Sequence, residues 1–177
     1  MTKPATEKPA STDEQAEPQV ENTTPELTRD QKAMAIVRSY TPWTAVAGIL
    51  PLPLFDMAAL MAAQLHMLSK ISKVYDVPFK QNTVKGIVST LLGTIISTGV
   101  GASLGSLIKG IPLVGPVIGF FAVPGMYSAA TYAVGRVFVT HFEAGGTFLD
   151  FDAQKMRAHF IDEFEKAKAQ PDLAKPA

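Results

Sequence analysis

Between Lys85 and Lys109 stand 23 residues without a formal charge, and between Lys109 and Arg136 stand 26 more. That much neutral chain has two homes, the hydrocarbon of a bilayer or the middle of a helical bundle. A helix of 23 residues reaches about 34 Å, and a hydrocarbon core is about 30 Å thick. The link over residues 109–116, KGIPLVGP, puts two glycines and two prolines between the runs, which favours a tight turn. The pattern predicts a helical hairpin over about residues 83–142.

Small side chains recur along both arms. Ser89, Gly93, Ser97, Gly101 and Gly105 stand four apart in the first, and Gly115 and Gly119 open the second. A spacing of four keeps them on one face and lets backbones approach closely, which is how helices associate when lipid removes the hydrophobic drive. In water each such glycine costs about 1 kcal/mol against alanine. The stripe predicts hairpin packing, on the other arm or on a second copy, with a kink at Pro124. Ser and Thr dilute both arms, so a soluble domain with this hairpin at its centre stays open as the alternative. If the hairpin inserts, Lys70, Lys73, Lys80, Lys85 and Arg136 lie on one side and Lys109 alone at the tip. The positive-inside rule then places both termini in the cytoplasm. Trp43, Tyr75, Phe79, Tyr132 and Phe138 would sit at the interface.

Around the hairpin the sequence reads as amphipathic helices. Thr24-Pro25-Glu26 and Thr28-Arg29-Asp30-Gln31 are competing starts for a first helix running to about Tyr40. Thr41-Pro42-Trp43 is expected to break it. The apolar stretch 43–54, interrupted by Gly48, Pro51 and Pro53, is too short to span a bilayer. A second helix is expected from about Pro53 to Tyr75, with Met57, Leu60, Gln64, Leu68 and Ile71 inward and His66, Lys70 and Lys73 outward. Asp76-Val77-Pro78 ends it. After Arg136, His141 lies near a helix C-terminus and Gly145-Gly146 stop it. Residues 147–152 read as a connector, and Asp152 as the cap of a last helix over about 153–169. Residues 1–24 are predicted to be a disordered acidic tail, because residues 1–26 hold six acids, four prolines and two lysines. Residues 25–169 form the helical domain, and 170–177 are expected to fray.

The chemistry-bearing residues are few. The absence of cysteine excludes disulfides, thiol nucleophiles and thiolate metal sites. No apolar segment opens the chain, so no cleavable secretory signal is expected. No basic stripe interleaved with aromatics suggests nucleic acid. Asp56, the sole acid between Ser39 and Ser69, reads as a first-turn helix stabiliser, with an intramembrane carboxylate as the alternative. Gln64 reads as a satisfied buried amide. His141, Glu143, Asp150 and Asp152 have ligand chemistry, but H-x-E followed by D-x-D matches no helix-face pair, so no metal is expected. His66 and His159 read as solvated. GVGASLGSLIKG lacks the G-x-x-x-x-G-K-[ST] phosphate loop, and no nucleophile elbow occurs. Neither catalysis nor a cofactor is expected.

ILPLPLFDMAALMAAQLHMLSKISKVYDVPF together with YAVGRVFVTHFEAGGTFLDFD resembles the domain of unknown function 697 family, found in YcjF-like bacterial membrane proteins. The similarity covers about residues 33–160. Pro51, Pro53, Asp56, Gln64, Tyr75, His141, Glu143, Gly145 and Gly146 are the family-type positions, and no catalytic role comes with them. The resemblance implies an all-α, membrane-associated domain, a bacterial inner-membrane location and a GTPase or other cytoplasmic protein as partner. This chain has no Walker motif of its own, so a nucleotide switch would come from another polypeptide. The resulting expectation is an anchor or docking module in a lipid membrane. The alternatives are a homo-oligomeric pore or membrane-remodelling assembly and a soluble helical domain with an apolar ligand cavity.

Overall fold

A computed structural model describes residues 26–47, 53–98 and 115–174. They form five helices: α1 (Arg29–Ala47), α2 (Pro53–Val74), α3 (Gln81–Ser97), α4 (Gly115–Glu143) and α5 (Arg157–Lys168), then a 3-10 turn at Pro171–Ala174. The fold is all-α, with no strand among the described residues.

The helix ends follow local chemistry. Thr28 and Gln31 make a reciprocal capping box: the Thr28 amide donates to Gln31 Oε1 at 2.9 Å and the Gln31 amide to Thr28 Oγ1 at 3.2 Å. Of the two candidate starts, this one opens α1. At the end of α2, Asp76 takes φ +57° and the Val77 amide reaches back to the Ser72 carbonyl at 2.9 Å. That is a Schellman stop built on aspartate, a residue that tolerates the left-handed region.

The expected break at Thr41-Pro42 does not occur; α1 runs through Pro42 to Ala47. Proline removes one backbone donor there, and threonine hydroxyls meet carbonyls on either side of it. Thr41 Oγ1 donates to the Val37 carbonyl at 2.9 Å and Thr44 Oγ1 to the Thr41 carbonyl at 2.8 Å. Both threonines are buried, so tertiary packing holds the helix past a residue that would end it in isolation.

At the centre is α4, which contacts each of the other four helices. Its Ala129, Ala130, Ala133, Val134, Val137, Phe138 and Val139 are all buried, as expected of a helix apolar on every side. Its extensive partners are α1 and α5, and it meets α3 only slightly. Gly135 marks a close approach to α1: a Cβ built there would stand 2.5 Å from Val37 Cγ2. Fully burying each large apolar side chain of this core contributes about 1.5–3 kcal/mol.

Residues 147–152 are more than a connector. Phe148 and Phe151 turn inward and close an aromatic cluster with Phe138 and Phe142. Phe138 and Phe151 stack at 4.4 Å, and Phe142 meets Phe148 edge-on at 5.0 Å. Phe138, expected at an interface, is fully buried here. Within the segment expected to fray, Leu173 in the 3-10 turn packs against the core.

Among the described residues, no helix is long and apolar enough to cross a membrane. Pro51, Gly101, Gly105, Lys109 and the acidic tail, 1–24, lie outside them.

Candidate functional site

Most polar residues singled out from the sequence hold the fold. Gln64 is fully buried between α2 and α4; its Nε2 donates to Thr131 Oγ1 at 3.0 Å. Thr131 stands 2.9 Å from Thr44 Oγ1 and 2.9 Å from the Tyr127 carbonyl. A short hydrogen-bonded chain therefore links α2, α4 and α1. Gln64 Oε1 has no partner among the described residues, so among these the amide is only half satisfied, where a fully satisfied one was expected.

Tyr75 and Glu143 lie 68 positions apart in the chain, and the phenol donates to Glu143 Oε1 at 2.6 Å. Burial, then that hydrogen bond, pushes the Tyr75 phenol well above its ordinary range. Next to this pair, the end of α4 is a complete Schellman motif. Gly145 takes φ +83°, its amide bonds the Phe142 carbonyl at 2.9 Å, and the Gly146 amide bonds the His141 carbonyl at 3.0 Å. A Cβ on Gly146 would push the His141 imidazole from its place. His141 Nε2 lies 2.9 Å from the Thr147 carbonyl and 3.7 Å from Asp150 Oδ2. A carbonyl accepts only, so that nitrogen carries the proton.

Asp150 accepts from both the hydroxyl and the amide of Thr147, and those bonds hold its carboxyl below the usual range. Asp152 Oδ1 accepts from the Gln154 and Lys155 amides at 3.0 and 3.2 Å. These amides, the Lys155 bond foremost, lower the Asp152 pKa. Asp152 thus caps the turn over 153–156, and α5 proper begins only at Arg157. The four residues with ligand chemistry, His141, Glu143, Asp150 and Asp152, each have a structural partner.

His66 is exposed, as expected, with Nδ1 3.0 Å from the Tyr40 hydroxyl. His159 departs from expectation: it is half-buried, and its Nε2 has no partner among the described residues. His159, Asp162 and Glu163 bring ligand atoms within 4.8 Å of one another. The Lys166 ammonium already sits there, 2.6 Å from Asp162 and 3.2 Å from Glu163.

Pro53 is the first residue of α2, which places Asp56 in its first turn; the Asp56 side chain lies outside the description. Gly115 and Gly119 fall in the first two turns of α4. Ser89, Gly93 and Ser97 are exposed on α3, and a Cβ on Gly93 would meet nothing within 4 Å.

What remains is a surface that no single stretch of sequence announces. Along the outer side of α2 run two adjoining open grooves, of about 670 and 530 Å³, sharing Ala62 and His66. Ala58, Leu65 and Phe79 floor one of them, and Tyr40 and Trp43 wall the other. Trp43 is 75% exposed. The four-residue spacing of Ala58, Ala62, His66 and Lys70 is the trace of this face in the sequence.

Residues 12–169 match the family described as a domain of unknown function, DUF697. The chain belongs to the DUF697 family. The chain is also similar to a protein called magnetosome membrane protein 22 from Magnetospirillum gryphiswaldense, with 39% identity over 142 residues, covering 80% of this chain and 73% of that one. No solved structure matches. In this DUF697 chain Gln64, Tyr75, His141 and Glu143, together with Gly145 and Gly146, all serve helix junctions.

Proposed function

We propose that this chain is a non-catalytic membrane-associated module, with its hairpin segment embedded and both termini in the cytoplasm, that docks a protein partner. A GTPase is the partner class the family resemblance implies. The observation that carries the membrane reading is the 39% identity to a protein named for the magnetosome membrane. The two uncharged runs between Lys85 and Arg136 support it. Their tip lies outside the described residues, so insertion rests on charge pattern and length. The experiment is alkaline carbonate extraction of cell membranes carrying the full-length protein. Retention in the pellet is expected, and release into the supernatant would overturn the embedded reading.

A second reading, a homo-oligomeric assembly in the membrane, is favoured by the uncovered small residues of α3. Ser89, Gly93 and Ser97 leave space for another helix to approach. Replacing all three by leucine is expected to lower the oligomer mass measured in detergent; an unchanged mass counts against it.

A further inference from the structure

Arg38 and Arg157 aside, the described cations fall into two groups. Arg29, Lys32, Arg136, Lys155, Lys166 and Lys168 each meet a carboxylate. Lys70, Lys73, Lys80 and Lys85 meet none among the described residues, and all four are exposed. Between residues 57 and 98 the one acid is Asp76, and it pairs with Arg29. Lys85 lines the first groove and Lys70 the second, its ammonium 5.2 Å above the Tyr40 ring. An apolar floor, an uncovered indole and unneutralised ammonium groups thus share one face.

We infer that this face seats on an anionic bilayer surface, with Trp43 and the groove floor at the boundary of headgroups and acyl chains and the four lysines on lipid phosphates. This rests on the membrane reading above and adds which face meets lipid and what lipid charge it selects. The charge pattern points to phosphates in bulk: the ammonium groups are dispersed along α2, α3 and the link between them and held on flexible stems. Tryptophan settles where one end is apolar and the other wet, and lysine stems lie along apolar surface while the charge reaches out. A lysine brought to an anionic surface is worth about fivefold in partitioning.

The test is flotation of the purified full-length chain with preformed vesicles of phosphatidylcholine, with and without phosphatidylglycerol, at low and high salt. Phosphatidylglycerol is expected to raise binding at least about tenfold at low salt, and high salt to remove that gain. Lys70→Gln with Lys85→Gln should lose most of the gain, as should Lys73→Gln with Lys80→Gln, a pair that does not line the grooves. Lys155→Gln with Lys168→Gln should keep it. Equal binding to both vesicle types, unchanged in the glutamine variants, overturns the inference while leaving the membrane reading standing. Binding to neither vesicle overturns both. If the variants float as the unmodified chain does but lose self-association, the face belongs to a second copy and the inference falls.

Discussion

Gln64 and Thr131 show how one buried side chain depends on another. The amide has already left water, and Thr131 is its only hydrogen-bond partner among the described residues. Thr131→Val would strand it, at a cost of about 1–3 kcal/mol in unfolding free energy. Adding Gln64→Met, which removes the stranded group at similar volume, should recover most of that loss. A denaturant double-mutant cycle measures both, and a silent Thr131→Val would contradict the network. Asp150 and Asp152 make a prediction of a different kind. Both carboxyls are held below their ordinary pKa by local donors, so in acid the unfolded chain binds protons more readily than the folded one. Their contribution is complete above about pH 4–5 and is lost as pH falls through the lowered folded values. Asp150→Asn with Asp152→Asn should flatten the fall of the thermal midpoint in that acid window and leave its shape near neutrality unaltered.

At the scale of elements, the junction of α1 and α4 is set by Gly135 against Val37. Gly135→Ala would overpack it by about 1–3 kcal/mol, and Val37→Ala in the same chain should relieve part of the strain, both read from unfolding midpoints. The boundaries of these helices were legible where one residue's chemistry decides them. Thr28 with Gln31, Pro53, the stop at Asp76 and Gly145-Gly146 each act within a turn or two. What could not be read needed a distant neighbour. Pro42 stays helical because Thr41 and Thr44 are buried, with α4 beside Thr44. Phe148 and Phe151 carry no periodic signal, and only the presence of Phe138 and Phe142 makes them core. The grooves on α2 are shaped by side chains from α1 and from the start of α3, so no single helix pattern contains them. The buried amide was legible at Gln64, since it lies on the apolar side of α2; its partner on α4, 67 residues away, was not.

For the whole molecule the decisive feature is that α4 touches every other described helix, α1 and α5 extensively and α3 only slightly. Neither α1 nor α5 can part from it without baring much of its surface, so openings within this trio would be energetically close to complete unfolding, while α3 can open on its own. Amide exchange over residues 129–139 should accordingly be the slowest in the described chain, with an opening free energy equal to that of complete unfolding in denaturant. The outer amides of α3 should exchange sooner, because that helix shows solvent a face of Ser89, Gly93 and Ser97. Slower exchange in α3 than in α4 would refute this hierarchy. A helix placed like an axle also has a mechanical meaning: a tug along α4 is shared chiefly with α1 and α5, so those three helices are expected to yield together under load.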